Sequence, residues 1–158
     1  MKAIISLLLP FLLVTVLFAE EPKNSSPPQR EKCAACGMFV STFREWNARI
    51  EFKDSTHATF CGAKCMFKYH LNVKKYNPSK GLNDITAVSV TDYDSKIPID
   101  ARRAFFVIWS DAYGPMGHEP IPFEKETDAK KFLKEHKGRK ILRFKDVTSK
   151  LIVSLDNP

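Results

Sequence analysis

Residues Cys33 to Val40 read CAACGMFV, two thiols and a thioether within six residues, and far along the chain YGPMGHEP sets another methionine between glycines. Soft sulfur in two glycine-bearing loops serves few chemistries: a disulfide, a zinc knuckle, a redox dithiol or a site for a thiophilic metal. The four cysteines, Cys33, Cys36, Cys61 and Cys65, are spaced C-x2-C, then 24 residues, then C-x3-C. Two knuckles at that separation suit a four-thiolate tetrahedral zinc site. In an oxidising compartment the same four cysteines allow three disulfide pairings. Neither use accounts for the methionines.

Gly37 separates Cys36 from Met38. On extended backbone residues i and i+2 share a face, so both sulfurs would converge on one ion, with glycine letting the backbone approach closely. Thiolate with thioether is a soft pair that favours Cu(I) over zinc, and a thioether needs no deprotonation and forms no disulfide. Met116 lies between Pro115 and Gly117. It either stands proud of the surface as a ligand or plugs a gap in the core, a common use of methionine. Cys61 and Cys65, four apart near a helix start, share a face where the helix dipole favours thiolate; buried packing or disulfide partnership are the other readings. His118, two residues from Met116, is a secondary candidate. His57 and His70 read as satisfied polar residues, and His136 as a favourable charge at a helix C-terminus.

A thioredoxin-like dithiol would open a helix with its C-x2-C, whereas Gly-Met-Phe-Val reads as a loop leading into a strand. Paired carboxylates, a Ser/His/Asp grouping and a phosphate-cradling glycine loop are all missing, so the sequence offers no positive case for an enzyme.

These loops need elements to hold them. WNARIEF alternates Trp46, Ala48, Ile50 and Phe52 against polar residues, the pattern of a half-buried strand, and HATF is a second short strand. Residues 62–76 fit one helix ended by Pro78 and Gly81, and DITAVSVTD a third strand. The second half repeats the order: RRAFFVIWS, then EPIPF after the AYGPMGH loop, then a helix over EKETDAKKFLKEH closed by Gly138, then KILRF and a last helix in DVTSKLIVSL. The expected fold is α+β, two similar β-β-α-β units packed as one compact domain, with halves at 33–95 and 96–158.

Ala3 to Phe18 form an apolar run broken by Pro10, preceded by Lys2 and followed by Ala19. A spanning helix needs about 20 apolar residues, so this run reads as a signal peptide, residues 1–19, rather than an uncleaved anchor. Residues 20–32, rich in Pro, Ser, Asn and charge, read as a disordered linker. Ten of the twelve phenylalanines lie in the remainder and supply core material. The net charge of +7 is spread over solvated helix faces and is not interleaved with aromatics, which argues against a nucleic-acid partner.

The combination CAACGM, IDARRAFFVIWS, GPMGHEPIPF, DAKKFLKEHKG and ILRFKDV resembles the nitrous oxide reductase accessory protein family, NosL, over nearly the whole chain after the linker. A second, local similarity runs from CGMFV to FCGAKCMFKY and resembles the small YHS and TRASH metal-binding modules. The NosL resemblance implies an exported Cu(I)-binding protein that helps copper reach nitrous oxide reductase, or another copper-receiving exported protein. It also implies a fold akin to the organomercurial lyase core. Its ligands would be Cys36 and Met38 from C-G-M and Met116 from P-M-G. The Cys61/Cys65 pair belongs more to the YHS/TRASH pattern and raises a different metal or a second site. Members of the NosL family are typically lipoproteins with a lipobox cysteine. This chain has no cysteine near Ala19, so the mature protein is expected to be periplasmic and soluble.

Overall fold

The computed structural model describes residues 30–156. The expected signal peptide, its expected cleavage after Ala19 and most of the expected linker lie outside the described residues. Residues 30–32, expected to belong to a disordered linker, are among the described residues and make defined contacts. Lys32 bridges Phe39, and the Glu31 carboxylate accepts hydrogen bonds from Thr59 Oγ1 and, at 3.2 Å, from His57.

After the cysteine loop, Val40–Trp46 winds as a 3-10 segment in place of the expected strand entry. Strand β1 (Ala48–Phe52) buries Ala48, Ile50 and Phe52 and turns its alternate residues outward, as the two-residue period dictates. β2 (His57–Phe60) pairs with it antiparallel, Ala48 opposite Phe60 and Ile50 opposite Ala58. The expected single helix over 62–76 is two: α1 (Ala63–His70) and α2 (Val73–Tyr76). The break falls at Asn72 (φ −140°, ψ 43°), whose side-chain amide donates back to the Lys68 carbonyl at 3.2 Å. Asparagine competes for backbone groups in this way and is a poor helix interior residue. β3 (Ile85–Thr91) covers the other side of β1, and a short edge strand β4 (Pro98–Asp100), not evident from the sequence, completes an antiparallel sheet of order β2-β1-β3-β4.

The second half starts with β5 (Phe105–Ile108), followed by a two-stranded hairpin, β6 (Tyr113–Gly114) and β7 (Gly117–His118). Then come β8 (Ile121–Phe123), α3 (Glu126–Glu135), β9 (Lys140–Arg143) and α4 (Ser149–Ser154), the last capped by the Thr148 hydroxyl. The sheet order is β8-β5-β9, all antiparallel. Each sheet thus has its first strand in the centre, the second on one flank and the strand after the helix on the other. The domain is α+β.

Two packing layers explain why Phe105–Ile108 is apolar without alternation. Phe106 and Ile108 join the main core, which also holds the inner face of the first sheet, Met66 and Phe67 of α1, and Ile152 of α4. Val107 faces the other way, into a smaller core with Ile121, Phe123, Ala129 and Phe132 under α3. Helix α1 is the joint between the halves: the Phe67 ring meets Phe106 edge-on at 5.1 Å and Phe144 at 5.0 Å.

The end of α3 departs from expectation in its detail. Lys137, not Gly138, takes the left-handed conformation (φ 53°), and the Gly138 amide returns to the Leu133 carbonyl at 2.8 Å. Gly138 is required for space, because a Cβ there would lie 2.6 Å from Val107 Cγ1.

Candidate metal centre

The cysteine loop is a tight knuckle. The Cys33 amide donates to the Met38 carbonyl at 2.7 Å, and the Gly37 amide to the Cys33 carbonyl at 2.9 Å. Gly37 sits at φ 80°, a conformation open to glycine and strained for residues with a Cβ. The turn over Ala34–Cys36 replaces the extended backbone expected between Cys36 and Met38, so those two sulfurs do not share a strand face. The Ala34 amide donates to the Thr59 carbonyl at 3.0 Å, which docks the knuckle on β2 and so beside Cys61 and the first turn of α1.

The docking brings all four thiols together. The four sulfurs lie within 4.8 Å of one another, and among the described residues they are the one group of metal-ligating side chains so placed. Cys36 Sγ is 3.6 Å from Cys61 Sγ, and Cys61 Sγ is 3.7 Å from Cys65 Sγ. A disulfide needs about 2.05 Å, so these are free thiols. Ligands on a tetrahedral ion with bonds of about 2.3 Å stand about 3.8 Å apart, close to the spacing found. Cys33, Cys61 and Cys65 are buried and Cys36 is exposed, giving the cluster a single thiol at the surface.

Proximity makes the four thiols unequal. The Cys61 and Cys65 thiols hold Cys33 far below the ordinary thiol range, against its burial and with help from the amides of Cys61 and Ala35. Cys61 and Cys65 are pushed up, first by the neighbouring Cys33. One thiolate therefore forms readily and opposes the next, an arrangement that a cation relieves.

Met116 is at the turn of the β6–β7 hairpin, half-buried against the main core rather than standing proud. Its carbonyl accepts a hydrogen bond from Lys64 Nζ. Lys64 lies between Cys61 and Cys65, its side chain fully buried and ion-paired with Asp156 at 3.0 Å, so the hairpin tip is tied to the turn of α1 that carries the thiols. Met38 also packs, half-buried, on that core. His118 is held between Trp109 and Tyr113, ring centroids at 5.4 and 4.7 Å, and its Nδ1 is buried with no hydrogen-bond partner. Of the other histidines, burial lowers the pKa of His70, whose ring meets Phe144 edge-on, and His136 pairs with Asp111 at 3.0 Å.

Glu119, which sequence reasoning missed, is fully buried at the hairpin's exit. Its Oε2 accepts the Lys64 amide at 2.7 Å, and burial raises its carboxyl to about 7 against the pull of the Lys64 amide and charge. Lys64 was equally hidden, since a lysine in a basic helix reads as solvated.

A small α+β domain that seats a thiol knuckle on a helix start, beneath a methionine-bearing hairpin, has the form of a metal-binding protein. The NosL family model matches residues 25–152, and the chain belongs to the NosL family. It is 26% identical over 155 residues to the copper-binding lipoprotein NosL of Stutzerimonas stutzeri, covering 94% of this chain and 80% of that protein. The fold is like that of the copper chaperone NosL from Shewanella denitrificans (TM-score 0.66, 24% identity, 82% of this chain and 99% of that one).

The Stutzerimonas stutzeri relative is a lipoprotein, and this overturns the expectation of a soluble periplasmic protein. That expectation rested on the first nineteen residues, on the length of the apolar run and the missing lipobox cysteine. Neither feature excludes a hold on the membrane, because an apolar segment too short for a comfortable span still partitions into a bilayer. Among the described residues no helix is long and apolar enough to cross a membrane.

Proposed function

We propose that this protein is a membrane-held Cu(I) carrier of the NosL type, taking up copper on soft sulfur ligands and passing it to a copper-receiving exported protein, with nitrous oxide reductase as the acceptor. Copper is cargo here, and the chain performs no bond chemistry of its own. Cys36, Met38 and Met116 form the delivery ligands, with His118 beside them. The domain runs from residue 33 to the C-terminus; the expected boundary between halves near residue 95 moves past β4, which pairs with β3, to the stretch between Asp100 and Phe105.

The observation that carries this reading is the tether from Lys64 to the Met116 carbonyl. It seats a thioether hairpin against the start of α1, and Cys61, just before the Gly62 N-cap, has its sulfur 3.6 Å from that of the exposed Cys36. A carrier must bind tightly yet release to a partner. An exposed thiol supported by thioethers suits that task, because an incoming thiolate or imidazole can displace weak ligands one at a time. The orphaned Nδ1 of His118 adds a borderline donor in the same hairpin.

The test is an anaerobic Cu(I) titration of the reduced protein against a competing chelator. One equivalent held in the competitive range, and lost on Cys36→Ser, is expected. Failure to withdraw any copper from the chelator refutes the carrier reading.

A further inference from the structure

The copper reading uses one of the four clustered cysteines and leaves Cys33, Cys61 and Cys65 unexplained. We propose that Cys33, Cys36, Cys61 and Cys65 form a second, closed four-thiolate centre for a resident divalent zinc ion, which pins the amino-terminal knuckle to the start of α1.

Four observations carry it. All four sulfurs already lie within 4.8 Å of one another, with separations of 3.6 and 3.7 Å that match the edge of a tetrahedron around an ion bonded at about 2.3 Å. Zinc favours this closed geometry, whereas a carrier of Cu(I) gains nothing from three sulfurs sealed in the core. The backbone is built for it: the knuckle closes on Gly37, and the Ala34–Thr59 hydrogen bond fixes it against β2 independently of any ion. Charge is also provided for. A divalent ion on four thiolates carries two net negative charges, and Lys64 and Lys68, which share Asp156 as an ion-pair partner, project from the same helix.

The centre and the delivery ligands share Cys36. Zinc binding therefore competes with copper at that one exposed sulfur, while the three buried thiols remain with zinc.

Co(II) titration of the reduced full-length protein tests this directly, because cobalt replaces zinc and reports its ligands. One equivalent is expected to give intense sulfur-to-cobalt charge-transfer absorption and tetrahedral d–d bands, both removed by one equivalent of zinc. Cys33→Ser and Cys65→Ser should each weaken zinc binding roughly a hundredfold or more, some 2.7 kcal/mol. Should either buried variant fail to fold by circular dichroism, Cys36→Ser, changed only at the surface, should keep the fold and show a reduced charge-transfer band. Met116→Leu should leave the cobalt spectrum unchanged. A folded, reduced wild-type protein without the charge-transfer band overturns the centre, even where Cu(I) binds. So does a band that survives unchanged in the Cys33 and Cys65 variants. A full cobalt spectrum in a protein that takes no Cu(I) supports the centre and removes the carrier reading.

Discussion

Glu119 caps helix α1 from outside the helix: its Oε2 accepts the Lys64 amide at 2.7 Å although 55 residues separate the two. Gly62 occupies the N-cap and offers no side chain, and a Cβ there would meet the Glu119 carboxylate at 3.0 Å. The glycine makes room for a carboxylate that a local serine or aspartate would otherwise replace. Negative charge at this end is favoured by the helix dipole, so the contact binds the hairpin of Met116 to the thiol-bearing turn.

Glu119→Ala removes the cap and leaves the buried Lys64 amide unsatisfied. The expected loss is about 1–3 kcal/mol, seen as a lower urea midpoint of the reduced, metal-free protein. Glu119→Gln keeps an acceptor and should lose less. Equal midpoints for wild type and Glu119→Ala would show that the cap is not stabilising.

Gly114 is needed for the same reason on the other side. A Cβ at Gly114 would stand 2.5 Å from Glu119 Cγ and 3.1 Å from the Trp46 ring. Gly114→Ala should cost about 1–3 kcal/mol by overpacking, whereas Gly81→Ala, whose nearest neighbour would be 3.7 Å away, should cost less. Thermal unfolding of the two variants side by side decides it.

Asp92 sets an acid limit on stability. Burial raises its carboxyl, but the Ser95 amide and hydroxyl, both at 2.8 Å, and the Glu124 amide at 2.7 Å outweigh burial and leave it lowered. With the folded value below the unfolded one, its contribution is present above the unfolded value and is lost as pH falls through the folded one. Asp92→Asn should therefore destabilise by about 1.5–3 kcal/mol near neutrality, and the difference from wild type should shrink below about pH 4. A difference constant between pH 3 and 7 contradicts this.

How much was legible follows from where the information sits. The alternation of Ala48, Ile50 and Phe52, and the helical spacing of Ala129 and Phe132, are local and were read correctly. The break at Asn72 depends on side-chain competition for backbone groups, which periodicity does not register. The cysteine spacing announced two knuckles, and it is β2, joined to the loop through Ala34 and Thr59, that makes them meet. Lys64 and Glu119 were invisible because their burial is conferred by residues far away in sequence, Met116, Asp156 and each other.

The central claim is that two loops distant in sequence hold one copper ion, and Met116→Leu tests it most directly. The swap preserves volume and apolarity, so stability should change by less than about 1.5 kcal/mol. Chelator competition should show Cu(I) affinity lowered at least about tenfold, some 1.4 kcal/mol, with zinc binding to the thiols unaltered. Unchanged Cu(I) affinity in a well-folded Met116→Leu protein would contradict the account and return Met116 to the role of a core filler.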